Sequence, residues 1–281
     1  MNELSTPLAT APQRRAAPVG LLSSTLQECA YIVHGGVMFT TPWVHTGNTL
    51  RRCGSISITA EGQPFELQRD GEASLHQVTA IKPMVTHRLL SQDAKFVGLL
   101  INPLHPKFRM FRGMSAKPGV LSLDRQRFSK YDAALIAASN GELDGAGGRA
   151  LFNGLIDTVS QHLPPLKLGS ADEKSDRVIA LLHADVNRSL TELAASEGLS
   201  YTRMSHVFTQ SMGISLRNYQ LWLKIHNALG LLDAGVTLTE IAKTTGFADL
   251  AHLSRVAAQA LGAPLSYFKD RETLRKIYCA D

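Results

Sequence analysis

The stretch SLTELAASEGLSYTRMSHVFTQSMGISLRNY, Ser189 to Tyr219, returns 48 to 49 residues later as TLTEIAKTTGFADLAHLSRVAAQALGAPLSYF, Thr237 to Phe268. Each copy reads as two short helices around a turn. Ser189 with Glu192, and Thr237 with Glu240, have the S/T-x-x-E spacing in which a hydroxyl and a carboxylate satisfy orphan amides at a helix start. Gly198 and Gly246 then supply the backbone freedom to end that helix and turn. Ser200 and Asp249 are placed to cap a second helix. In the second helices Met204, Val207 and Phe208, or Leu253, Val256 and Ala257, recur at helical spacing and are expected to face a core.

The opposite faces of those second helices are polar and partly cationic. Thr202, Arg203, Ser205 and His206 stand there in the first copy, and Ala251, His252, Ser254 and Arg255 in the second. A helix with such a face fits the major groove of B-DNA, where Arg binds guanine bidentately and small side chains touch thymine methyls. A duplicated helix-turn-helix in one polypeptide is a device for reading double-stranded DNA at two places.

From about Asp172 to the C-terminus the chain resembles the DNA-binding domain of AraC/XylS-type transcription regulators. The likeness is carried by Leu193, Ala194, Gly198, Ser200, Phe208, Gly213, Ser215, Tyr219, Ala228, Leu231, Leu232, Glu240, Ile241, Ala242, Gly246, Phe247, Asp249 and Arg255. It implies a long helix, about Ser215 to Asp233, joining two motifs whose recognition helices enter successive major grooves. It also implies control of a promoter, with RNA polymerase as a partner if the protein activates. The departures are His206 and Lys224 where Arg is usual, Ala257 for a bulky aromatic, Leu216 and Leu265 where Pro is usual, and Pro264 one residue early.

Charge does not follow the usual expectation for a nucleic-acid module. The net +5 of the 281-residue chain lies in residues 1–171, because from residue 172 onward twelve Lys and Arg face twelve Asp and Glu. Phosphate attraction must therefore come from local placement and helix N-termini.

In its order of strands, helices and DNA-binding module the chain resembles members of the AraC/XylS family with a cupin-like barrel, which implies a sensing or dimerisation domain over residues 23–163, after a disordered tail over 1–22 and before a linker over 164–171. Residues 172–281 complete the chain as the DNA-binding domain. The fold class expected is α+β: an antiparallel β-barrel with helices, then an all-α domain. Strands are read at Tyr31–Phe39, Gly54–Ala60, Pro64–Gln68, Ser74–Ile81 and Lys95–Asn102, from short alternating or apolar runs broken by Gly, Pro and Asp. Helices follow at Asp124–Ser139 and Gly148–Leu163. The second carries Leu151, Leu155, Val159 and Leu163 at four-residue spacing, a stripe that either packs on the barrel or forms a homodimer interface over 148–163.

Trp43, His45, His76 and His87 are candidate effector-pocket residues in the barrel segment. The histidines lack the H-x-H pair and following Glu of metal-binding cupins, so no metal, cofactor or catalytic residue is expected, and the chain is read as no enzyme. Cys53 in Arg51-Arg52-Cys53-Gly54 has cationic neighbours able to stabilise a thiolate, although a structural Cys is the simpler reading. Three cysteines without a CxxC pair suit a reducing cytoplasm, and no apolar run is long enough to span a membrane. The function expected is a sequence-specific DNA-binding regulator whose barrel senses a small molecule. The alternatives are a ligand-independent regulator with a dimerising barrel, and a cupin metalloenzyme fused to a DNA-binding module.

Overall fold

A computed structural model of the chain describes residues 28–92, 94–115, 117–261, 264–269 and 274–279. The expected tail over 1–22 lies outside them. Tyr31–Phe39, expected as one strand, is a hairpin: β1 (Glu28–Val33) and β2 (Gly36–Thr41) are joined at Gly35, whose φ of +76° no branched residue would hold. Further strands are β3 (Val44–His45), β4 (Gly54–Thr59), β5 (Phe65–Arg69), β6 (Glu72–His76), β7 (Val78–Ile81), β8 (Arg88–Ser91), β9 (Phe96–Ile101) and β10 (Val120–Ser122). Ser74–Ile81 is likewise two strands, because the chain changes sheet at Gln77.

Among the described residues the strands show no closed ring of the kind expected for a barrel. They form a seven-stranded sheet in the order β10-β7-β4-β9-β2-β1-β11 and a four-stranded sheet in the order β3-β8-β5-β6, each with two free edges in its ladder. Val44, Phe65, Leu67, Ile81, Leu89 and Phe96 pack as one apolar cluster contributed by both sheets. The last strand, β11 (Leu274–Tyr278), comes from beyond the second repeat and pairs in parallel with β1, Glu28 opposite Leu274 and Ile32 opposite Tyr278.

α1 (Asp132–Ser139) and α2 (Gly145–Ser160) cover the large sheet after a 3-10 turn over Arg125–Tyr131. Leu151, Leu155 and Val159 are 0–2% exposed, packed into the core that contains Tyr31, Leu99 and Leu135. Three residues of the stripe on the 148–163 helix are therefore buried inside the subunit, and Leu163 is half-buried at its end. Covering an apolar sheet face removes the same surface from water that a second copy would have covered.

The C-terminal helices are α3 (Ser170–Ala184), α4 (Leu190–Ser196), α5 (Tyr201–Met212), α6 (Leu216–Gly230), α7 (Leu238–Thr244), α8 (Leu250–Leu261) and α9 (Leu265–Lys269). They are divided between two cores. Val178, Leu182, Leu193, Met204, Phe208 and Tyr219, from α3 to the start of α6, join the core of the sheet. Trp222, Ile225, Ile241, Phe247, Leu253, Val256 and Leu265 form a separate one. α6 thus offers one face to each core. Ala257, where the first repeat has Phe208, is fully buried in the second core, and Phe247 and the half-buried Phe268 pack there.

Candidate nucleic-acid interface and effector cavity

The caps fix where each recognition helix begins. The Ser200 hydroxyl accepts from the Arg203 amide at 3.3 Å, and Asp249 accepts from the His252 amide at 2.6 Å. Gly213 ends α5 at φ +74°. Thr237 and Glu240 form the reciprocal capping box expected of them. Ser189 and Glu192 do not: Ser189 sits at the N-cap of α4 without a side-chain cap bond, at an exposed start where water can serve the free amides.

With Met204, Phe208, Leu253 and Ala257 turned inward, the opposite faces stand clear. Thr202, Arg203, His206, Ala251 and Arg255 are exposed, and Ser205, His252 and Ser254 are half-buried. His252 packs edge-on against Phe247 at 5.4 Å between ring centres, which fixes its place on the face. Neither Arg203 nor Arg255 enters an ion pair among the described residues, so both guanidinium groups are available to a base edge or a phosphate. Lys224 of α6 donates to the Gly246 carbonyl at 2.9 Å, tying the turn of the second motif to the joining helix. A Cβ on Gly246 would lie 1.8 Å from the Asn187 amide oxygen, so this turn needs glycine for space as well as for φ.

The first motif is locked to the sheet domain by charge as well as by apolar packing. Arg112, in the 3-10 turn Phe108–Gly113, donates to Asp172 at 2.7 Å and to the carbonyls of Lys167, Gln210 and Ser211 at 3.0, 3.4 and 3.1 Å. Asp172 also accepts from the Ser211 hydroxyl and the Gly169 amide, both at 2.9 Å. Burial alone would raise its pKa, but those hydrogen bonds and the Arg112 charge outweigh it and hold the carboxyl below the usual range. Arg109 pairs with Asp176 at 2.5 Å, and Arg52 donates to Asn218 at the start of α6 at 3.1 Å.

The second motif meets the sheet domain differently. Tyr267 donates to Glu28, Lys276 pairs with Asp233 at 3.3 Å, and Tyr278 donates to Asp233 at 3.1 Å. Between this docking segment and the sheet lies a cavity of about 80 Å³. Ala30, Val37, Phe39, Val44, Leu89 and Leu100 line one side, and Leu261, Tyr267, Phe268 and Leu274 the other. Its walls are overwhelmingly apolar, with Arg51 and Glu28 the charged side chains among them.

None of Trp43, His45, His76 and His87 lines this cavity. Strand alternation is the reason at β3, where Val44 and Thr46 turn inward and leave His45 exposed. His76 bonds the hydroxyls of Ser74 and Ser122 at 2.7 and 3.1 Å. His87 is buried against Thr49 and the Val85 carbonyl, and burial pushes its pKa down to about 4. Cys53 is also buried, which raises its thiol to about 11 in spite of Arg51 and Arg52, so the stabilised thiolate does not form. Arg51 and Glu28 escaped the sequence reading. Arg51 drew attention there only as a neighbour of Cys53.

Two capped helices on one joining helix, each with a clear polar face, define a double helix-turn-helix DNA-binding module. Residues 193–271 match the family model described as a helix-turn-helix domain. Over 109 residues the chain is 30% identical to the uncharacterized HTH-type transcriptional regulator YbfI of Bacillus subtilis, covering 37% of this chain and 40% of that one. It is 32% identical over 87 residues to the arabinose operon regulatory protein of Escherichia coli, covering 31% and 30% of the two chains. The chain thus matches well under half the length of either relative. By this module the chain is similar to HTH-type transcription regulators, the arabinose operon regulatory protein among them. The whole architecture is similar to that of ToxT from Vibrio cholerae in a crystal structure with an unsaturated fatty acid bound, with a TM-score of 0.51, 12% identity, and 88% and 97% of the chains covered. That likeness is one of fold: N-terminal sheets followed by C-terminal helices.

Proposed function

We propose that the chain is a sequence-specific transcription regulator of the AraC type, with residues 172–281 reading DNA and residues 23–163 sensing a small molecule. The reading of DNA rests on one observation above others: α5 and α8 each present an arginine on an exposed face, Arg203 at the place His252 takes in the other copy and Arg255 at the place of His206, and neither enters an ion pair among the described residues. Thr202, Ser205, His206, Ala251, His252 and Ser254 complete the two reading faces. The cytoplasm is the compartment such a role requires. No helix among the described residues is long and apolar enough to cross a membrane.

The sensing role is supported by the cavity, which is bounded by the sheet on one side and by the second motif on the other. A ligand shifts output only if it binds two arrangements of the protein with different affinity. An occupant here touches both bodies, so its affinity depends on how they sit. The fatty acid held by ToxT, a protein of the same architecture, supports a small-molecule effector for this chain as well. Genome-wide mapping of bound DNA, with and without candidate metabolites, tests both parts. Absence of any enriched site would refute the regulator, and occupancy indifferent to every metabolite would favour a ligand-independent one.

A further inference from the structure

Gln220 and Lys224 stand one turn apart on the same side of α6, and each is committed to a different motif. Gln220 donates to the carbonyls of Val186 and Arg188 at 2.8 and 2.9 Å, in the loop that joins α3 to α4 of the first motif. Lys224 donates to the Gly246 carbonyl at 2.9 Å, in the turn between α7 and α8 of the second. The two arms meet, because the Asn187 amide oxygen of that first loop fills the place a Cβ on Gly246 would take, with the Lys224 ammonium nitrogen 3.0 Å from the same point. Asp185 accepts from the Asn187 backbone amide at 2.9 Å and holds the loop in shape. Lys224 is half-buried in this position, and burial lowers its pKa, an effect that the Asp185 charge only partly offsets.

The two motifs bury their apolar residues apart: Leu193, Met204 and Phe208 in the core shared with the sheet, Ile241, Leu253 and Val256 in the separate one, with α6 between them. We propose that Gln220, Lys224 and Asn187 form a polar clasp that sets the separation and angle of α5 and α8, and so the spacing between half-sites that the protein accepts. This rests on the reading of DNA proposed above and names the positioning residues behind its geometry. Each arm grips the chain close to a helix start: Arg188 adjoins the α4 N-cap Ser189, and Gly246 lies three residues before the Asp249 cap of α8. The Lys224 arm is the stronger, since a charged donor makes a stronger hydrogen bond than a neutral one. Inserting one base pair between two half-sites moves one of them about 3.4 Å along the duplex and turns it about 34–36° around the axis. A clasped pair of helices meets such a site only by giving up contacts or by opening the clasp.

The test uses the full chain and three duplexes carrying a site from the mapped operators: at its native spacing, and with one base pair inserted or removed between the half-sites. The wild type binds the native spacing more tightly than either altered duplex by at least about tenfold, the worth of one charge-assisted hydrogen bond. Lys224→Met, of similar length but without the donor, binds the native duplex more weakly and discriminates among the three spacings several-fold less. Lys224→Arg, able to donate to the same carbonyl, keeps the discrimination. Gln220→Met narrows it from the side of the first motif, so the outcome does not hang on the folding of one variant. Equal binding of the three duplexes by the wild type overturns the proposal, and that comparison needs no variant. So does a Lys224→Met variant weakened by the same factor on all three, with a salt slope shallower by about 0.9, which would make Lys224 a phosphate contact. Specific binding that ignores spacing strikes the clasp alone, whereas failure of the wild type to bind any mapped site strikes the reading of DNA and the clasp with it.

Discussion

Asp172→Ala should loosen the first helix-turn-helix from the sheet domain. Asp172 is 4% exposed and accepts from Arg112, Ser211 and the Gly169 amide, with Arg109 a further 3.6 Å away. Its removal leaves two arginines, with side chains 16% and 20% exposed, facing an apolar methyl. Breaking a buried pair from one side costs about 3 to 5 kcal/mol. Arg112 keeps three carbonyl partners and some water, so the lower end, about 3 kcal/mol, applies here. At roughly 2 °C per kcal/mol for a chain of this size, the melting temperature should fall by about 6 °C. Asp176→Ala is the internal comparison: that carboxylate is 58% exposed, and its loss should cost under about 1 kcal/mol. The sign with pH is set by the depressed pKa of Asp172. Its contribution is present above the ordinary aspartate range and is lost as pH falls through the folded-state value, so wild type and variant should converge in acid. Urea titrations at neutral and acid pH measure both effects. Equal losses for the two substitutions, or a gap that persists in acid, would refute the argument that this charge cluster clamps the first motif.

Arg255→Ala should weaken binding to the mapped operator by about 1 to 3 kcal/mol if the guanidinium reads a base, and equal titration curves for variant and wild type would remove it from the interface. Glu28 sits under the docking segment with its pKa raised by burial, against the hydrogen bonds from Tyr267 and Thr41. Its contribution is therefore full below the ordinary glutamate range and lost as pH rises through the folded-state value, and Glu28→Gln should flatten that dependence in urea midpoints taken from acid to neutral pH. Amides of α8 should exchange with solvent faster than those of α5, because α5 belongs to the large continuous core and α8 to the smaller separate one; equal protection over 250–261 and 201–212 would contradict this.

The two helix-turn-helix motifs were legible because everything that makes them is local. Caps at Ser200, Asp249 and Thr237, left-handed glycines at 198 and 246, and inward residues at helical spacing act within a dozen residues of one another. The outer faces then follow by exclusion, which is why Arg203 and Arg255 could be named without coordinates. Periodicity did less well for the strands. It could not show that Tyr31–Phe39 turns back at Gly35, or that Ser74–Ile81 passes from one sheet to the other, since an apolar run keeps its pattern across a tight turn.

The sequence by itself determined a paired DNA-reading module behind a β-rich domain. Which surfaces that domain spends internally was decided only by the tertiary structure. The stripe of α2 could have faced a second copy or its own sheet, and both satisfy the same burial of apolar area; the packing chose the sheet. Arg51 and Leu274 are more than two hundred positions apart, and nothing in either neighbourhood hints that they line one cavity. Strand pairing of β11 with β1 brings them together. Pairing over such a separation depends on which edge the folded sheet leaves open, a property of the assembled sheet rather than of any segment in it.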